Sequence, residues 1–137
     1  MLLIIIGLPA SGKTSYFNSN SYLKDNYYFY DDFISNFFNG KLIDKLREDC
    51  NKNICITDPR LCDYQLFMKI MNIIEPLINR DNIKIILFQN NKEACIKNSK
   101  NRKRNVEITI HIYSEKYDIK NYNNYNNEII EVYKKDE

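Results

Sequence analysis

The chain opens on Met1-Leu2-Leu3-Ile4-Ile5-Ile6 and runs straight into Gly7-Leu8-Pro9-Ala10-Ser11-Gly12-Lys13-Thr14. A short unbroken apolar run ending on a glycine-rich turn reads as a strand buried on both faces, then a loop that must curl tightly. The turn fits the Gly-x-x-x-x-Gly-Lys-[Ser/Thr] phosphate-binding pattern, the P-loop. In that pattern small residues let successive N–H groups point inward as an anion nest. Lys13 then reaches the β- and γ-phosphates, and the Thr14 hydroxyl meets Mg²⁺. A helix beginning at Lys13 adds the positive end of its dipole. The whole chain has three glycines, and two of them frame this loop. The competing reading is a plain strand-to-helix turn with Lys13 exposed. The expected nucleotide contacts are Gly7, Pro9, Ala10, Ser11, Gly12, Lys13, Thr14 and Ser15, with ATP and Mg²⁺ as the ligands.

At 137 residues the length suits one domain, residues 1–137. A 44% hydrophobic and 13% aromatic content is enough for a packed core. No apolar run approaches the ~20 residues that span a bilayer, and Met1–Ile6 lacks the basic flank of a signal peptide. The expectation is an intracellular, cytoplasmic protein with no membrane partner. The composition is rich in Asn, Ile, Lys and Tyr, a bias that an AT-rich genome would produce, so single asparagines carry little local meaning. Four cysteines (Cys50, Cys55, Cys62, Cys95) form no Cys-x-x-Cys pair, and His111 is the sole histidine. Zinc binding and histidine acid–base chemistry are therefore not expected; buried, reduced thiols are. Net charge is +2, yet Lys92–Val106 holds six basic residues and one acid, a local +5. One basic segment on a near-neutral chain points to an anionic ligand at one place.

Five segments read as strands: Leu2–Ile6, Tyr27–Tyr30, Asn53–Thr57, Ile83–Phe88 and Glu128–Tyr133, the last at an edge. Helices are expected over Lys13–Leu23, Asp32–Cys50, Pro59–Arg80 and Asn91–Lys100. Asp58 and Pro59 suit the start of the third, and Pro76 ends or kinks it. Asn90 with Glu93 resembles a capping box for the fourth. The Asn121–Asn127 stretch reads as a loop. Val106–Tyr113 alternates like a strand, although Ile108, Ile112 and Tyr113 also fit one helix face. Strands alternating with helices give an α/β fold with a parallel sheet covered on both faces.

Ligands of such sheets sit at the carboxyl ends of strands. The second strand ends in Asp31-Asp32, of which at most one is expected to face a site. Asp31 can take a proton from an attacking hydroxyl while Asp32 caps the next helix. Asp58, after the third strand, can hold Mg²⁺ through water or simply cap its helix. Arg60 can bind a phosphate on an acceptor or be a surface residue. The basic run Lys97–Arg104 can be a lid, an acceptor contact or solvated charge. Within it Arg102 and Arg104 suit phosphate, because a planar guanidinium meets two oxygens at once.

The order of these pieces resembles the polynucleotide 5′-kinase family of P-loop kinases. Gly7–Thr14 is similar to its Gly-x-Pro-x-Ser-Gly-Lys-Ser/Thr loop, Tyr30-Asp31-Asp32-Phe33 to its Asp-Asp-aromatic, Thr57-Asp58 to its Ser-Asp, and Lys97-Asn98-Ser99-Lys100 to the start of its lid. The likeness covers roughly residues 1–117. It implies a three-layer αβα P-loop NTPase fold of about five parallel strands in adenylate-kinase-like order. It further implies a lid at about 97–106, a helix rather than a strand over Val106–Tyr117, and Asp31 as general base. The implied activity is transfer of the γ-phosphoryl of Mg·ATP to a hydroxyl, on a nucleic-acid or nucleotide 5′ end or a small metabolite. Acceptor contacts would be Asp32, Asp58 and Arg60. Two positions depart from the family: Ile34 stands where it carries an acceptor-binding arginine, and Asn101 stands at its lid arginine, with Arg102 next to it. An ATP-binding switch or ATPase acting on a protein partner is the alternative.

Overall fold

The computed structural model describes residues 1–34, 44, 53–100 and 106–134. It is a mixed α/β fold built on one sheet of five parallel strands. In chain order the elements are β1 (Leu2–Ile6), α1 (Lys13–Ser19), α2 (Ser21–Asn26), β2 (Tyr28–Asp31), β3 (Ile54–Thr57), a 3-10 turn (Pro59–Cys62) and α3 (Tyr64–Ile74). A short turn (Arg80–Asn82), β4 (Ile83–Phe88), α4 (Lys92–Ser99), α5 (Glu107–Lys116), a 3-10 turn (Ile119–Tyr122) and β5 (Asn126–Ile130) follow among the described residues. The strands lie side by side as β2-β3-β1-β4-β5. β1, the most apolar, is central, and all five of its residues are buried. Successive strand residues face opposite sides of a sheet, so unbroken burial in β1 and β3 means both faces are covered.

Register fixes the site. Asp31 lies opposite Thr57, and Thr57 opposite Ile5, so the loops that follow β1, β2 and β3 leave one edge of the sheet together. The Thr57 hydroxyl donates to Ile5 O at 2.8 Å and ties the two central strands at that edge.

Several elements differ from the sequence expectation, each for a local reason. The Lys13–Leu23 helix is two helices, because the Asn20 side chain accepts the Leu23 N–H and starts a second one. The Pro59–Arg80 helix is a 3-10 turn and then α3, capped afresh by Asp63, whose carboxylate accepts the Gln65 N–H. It ends at Ile74, ahead of Pro76. The α4 cap is Asn91, accepting from Ala94, and not Asn90. Asn90 instead donates to Ser114 O and Tyr117 O.

The alternating segment Val106–Tyr113 is not a strand: Glu107–Lys116 is a helix, as the resemblance implies for Val106–Tyr117. Its inward face is Ile110 and Tyr117, with half-buried Tyr113 between them, at helical spacing, whereas Ile108 and Ile112 face out. The alternation of isoleucines was a poorer guide than the tyrosines beyond it. β5 begins two residues earlier than expected, inside the asparagine-rich stretch. That stretch is no plain loop, for Tyr122 and Tyr125 are core residues. β5 is an edge strand, as its alternation implied. Cys55, Cys62 and Cys95 are buried and form no disulfide, and burial pushes the thiols of Cys55 and Cys62 up to about 12. Cys50 and the expected helix over Asp32–Cys50 lie largely outside the described residues. No helix among the described residues is long and apolar enough to cross a membrane.

Candidate functional site

The loop after β1 turns on two left-handed residues, Ala10 at φ 63° and Gly12 at φ 102°. Glycine adopts that conformation freely; an alanine resists it. Between them, the Ser11 N–H closes a turn onto Leu8 O at 3.2 Å. The loop thus coils around its own interior. Gly7 permits this closeness, since a Cβ there would lie 2.6 Å from Ser11 Oγ and 3.0 Å from Phe88 Cβ.

Lys13 is 7% exposed and folds into that interior. Its ammonium donates to Gly7 O (2.9 Å), Leu8 O (2.7 Å) and Ser11 Oγ (3.4 Å). This is not the exposed lysine of a plain turn. α1 has only seven residues, so the loop amides and Lys13 carry the local positive potential more than a long helix axis would.

Beside the loop lies a cleft of about 530 Å³. Pro9, Ala10 and Gly12–Ser15 form one wall; Asp31, Asp32, Pro59, Val106 and Thr109 form the other. Both aspartates line it, where at most one was expected to. The cause is backbone: Asp32 takes φ 47° and turns the chain at once, and its N–H donates to Asp31 Oδ1 at 2.9 Å. Burial raises the Asp32 carboxyl above the usual carboxylate range, helped by the charges of Asp31 and Asp58, while Arg60 and Lys13 oppose the rise.

Asp58 is not part of the cleft wall. It is fully buried and accepts from Arg60 N (2.9 Å), Arg60 Nε (2.9 Å), Arg60 Nη2 (2.7 Å) and Ile34 N (3.3 Å). Four donors saturate a carboxylate. In this arrangement the carboxylate is engaged by protein donors on both oxygens, so Asp58 meets the site through Arg60. It does begin the following turn, as its capping role required. It also takes the Ile34 N–H just after the aspartate pair, the place where Asp32 was expected to act as cap. Arg60 is held by Asp58, with its side chain 37% exposed. The hydrogen bond to Asp58 strengthens the Arg60 guanidinium's hold on its proton, and Asp32 and Tyr113 lie within electrostatic reach of it. Ile34 is 4% exposed and belongs to the core.

Lys97–Ser99 form the end of α4, with Lys100 as its C-cap, so the first part of the expected lid is helix. Arg102 and Arg104 lie outside the described residues; Val106, just beyond them, lines the cleft. Among the described residues no group of three or more His, Cys, Asp or Glu is arranged to hold a metal ion. Thr14, in the loop wall, is the hydroxyl nearest in sequence to Lys13 that the cleft includes.

Sequence reasoning missed Thr109, whose segment local pattern read as a strand and the resemblance as a helix. It also missed Asn98 and Tyr133, which grip the loop from outside. Asn98 Nδ2 donates to Ala10 O (3.0 Å) and Tyr133 O (2.5 Å), and the Tyr133 N–H donates to Ser11 O (3.1 Å). Asn98 carried no readable signal in so asparagine-rich a chain.

No protein-family model matches the chain. It is 42% identical over 136 residues to "Uncharacterized protein R277" of Acanthamoeba polyphaga mimivirus, an alignment spanning 97% of each. The chain belongs to the family of that viral protein.

Proposed function

We propose that the protein is a small P-loop kinase, which transfers the γ-phosphoryl of Mg·ATP to a hydroxyl acceptor. The observation that carries this reading is one cleft with Lys13 gathered into a coiled amide loop on one wall and Asp31 on the other. Phosphoryl transfer asks little of a protein beyond positioning and charge stabilisation, and these two walls supply both. The parallel sheet, covered on both faces, and its order β2-β3-β1-β4-β5 fit the αβα, adenylate-kinase-like architecture that the resemblance implies.

In this reading the loop amides and Lys13 hold the β- and γ-phosphates. Lys13 exchanges its carbonyl partners for phosphate oxygens, a gain because those oxygens are charged. Magnesium would rest on the Thr14 hydroxyl and the phosphates themselves, which suits an ion that keeps few protein ligands. Bound there, it neutralises charge on the phosphates. Asp31, its carboxylate oriented by the Asp32 N–H, accepts the proton of the attacking hydroxyl. Arg102 or Arg104 stabilises the transferring group. Arg60, presented by Asp58, and Asp32 contact the acceptor. A nucleic-acid or nucleotide 5′-hydroxyl leads as acceptor on the strength of the resemblance, followed by a small metabolite.

A second reading, an ATPase or ATP-dependent switch with a protein partner, is favoured by Ile34. Its side chain is buried in the core, so that position supplies no cation for an acceptor's phosphate.

Incubation with γ-labelled ATP and a panel of 5′-hydroxyl oligonucleotides, nucleosides and sugars separates the two. Label on an acceptor supports the kinase, with turnover lost in Asp31→Asn while ATP binding stays. Free phosphate alone, unaffected by every acceptor, supports the switch. ATP binding as tight in Lys13→Ala as in the parent would sink both.

A further inference from the structure

We infer that Asn98, together with the backbone of Tyr133, is a bracket that sets the phosphate-binding amides of the loop, which makes Asn98 a positioning residue for nucleotide binding. The inference rests on the P-loop reading above and deepens it. It starts from a conflict in the loop. Ala10 takes a left-handed φ of 63°, which an L-residue with a Cβ resists, so something outside the loop must hold that conformation. The outside partner is Asn98, whose amide donates to Ala10 O at 3.0 Å from the α4 helix, 88 positions along the chain.

The consequence follows from peptide geometry. In a trans peptide the C=O of one residue and the N–H of the next point to opposite sides. Holding Ala10 O outward turns the Ser11 N–H inward, and that N–H is found on Leu8 O inside the loop. Holding Ser11 O outward, on the Tyr133 N–H at 3.1 Å, turns the Gly12 N–H to the inner side as well, toward the interior that Lys13 occupies. Two outward carbonyls therefore set the direction of two inward N–H groups, of which that of Ser11 closes the turn on Leu8 O. Asn98 secures both arms, because the same Nδ2 group also donates to Tyr133 O and fixes the tail that holds Ser11. Gly12 completes the fit: a Cβ there would stand 3.0 Å from Tyr133 Cβ, so the tail lies directly against it. Neither Asn98 nor Tyr133 lines the cleft. The bracket acts only through the direction of the loop amides.

The test is calorimetric titration of the full chain with inorganic pyrophosphate and with ATP, at a temperature where every variant is fully folded. Loss of global stability lowers the melting temperature without changing the Kd of folded protein, so the Kd reports loop geometry. Asn98→Ala is expected to weaken both ligands about tenfold, the scale of one or two lost hydrogen bonds. Asn98→Asp is expected to weaken them further, since a carboxylate would face two carbonyl oxygens. Tyr125→Phe, which loses its 2.6 Å bond to Glu75 far from the loop, controls for destabilisation and keeps the parent Kd. A Kd within twofold of the parent in both Asn98 variants overturns the bracket and leaves the P-loop reading standing. Failure of the parent itself to bind either ligand removes that reading, and the bracket with it.

Discussion

Replacing Arg60 with methionine tests whether Asp58 is a buried charge that depends on one partner. The Asp58 side chain is 1% exposed and its Arg60 partner 37%, with the closest contact at 2.7 Å. Arg60→Met keeps the backbone N–H bond to Oδ1 and the Ile34 bond, but removes both guanidinium bonds. Charge-assisted bonds are worth ~1.5–3 kcal/mol each, and stranding one member of a fully buried pair costs ~3–5 kcal/mol. Solvent already reaches the guanidinium side, which screens the pair and lets water follow the shortened side chain. The net loss is therefore set near the bottom of that range, ~3 kcal/mol. For a chain of this length that is a fall in Tm on the order of 10 °C. Asp58→Asn should cost less, ~1–2 kcal/mol, because the arginine it strands can turn to water. The double variant Asp58→Asn/Arg60→Met should be more stable than Arg60→Met alone, since no charge is then buried. Urea unfolding monitored by circular dichroism gives all three values. If Arg60→Met costs less than Asp58→Asn, or the double variant is the least stable, the account of Asp58 as a dependent buried charge is wrong.

Gly7→Ala would drive a methyl against Ser11 Oγ and Phe88 Cβ, two buried groups without room to yield, and should destabilise by ~1–3 kcal/mol in the same assay. Asp32→Asn should stabilise the fold at neutral pH. The raised Asp32 carboxyl binds its proton more tightly folded than unfolded, so its ionisation opposes folding above the folded pKa. That penalty fades as pH falls to the ordinary carboxylate range, and the gain from Asn should vanish there. Asn also tolerates the left-handed backbone at position 32. Parallel stability curves for parent and variant from pH 3 to 8 would refute this.

What the sequence made legible was whatever one local pattern decides. β1 and β4 have the expected boundaries, because continuous apolar runs bounded by turn residues admit few other folds. That the loop would lie beside the end of β2 could be foreseen because strands of a parallel sheet end at one edge; that both Asp31 and Asp32 would line the cleft could not. Failures came where two signals competed. For Asp58 the pattern offered a cap or a magnesium contact through water, and its pairing with Arg60 came from depth: a carboxylate with no solvent takes the nearest cation, and Arg60 is two residues away. Local pattern alone misread the helix at 107–116, because two of its three alternating isoleucines face outward; the resemblance, not the periodicity, pointed to a helix there. Asn90, Asn91 and Asn98 do three different jobs that no composition-level reading could have told apart.

The tyrosines tell a related story. Buried Tyr117 donates its hydroxyl to Phe88 O, at the end of β4, and Tyr122 donates to Leu61 O in the turn after β3. Burial pushes both phenols far above their ordinary pKa, which favours the neutral, donating form. Carbonyls that leave a sheet end or a tight turn in a dry interior commonly recruit an ordered water. Here the chain carries its own substitute, a hydroxyl on a rigid aromatic stalk that fills volume and satisfies an acceptor in one step. A chain with eleven tyrosines thereby carries an internal solvent that cannot exchange, covalently attached and already oriented when the core closes.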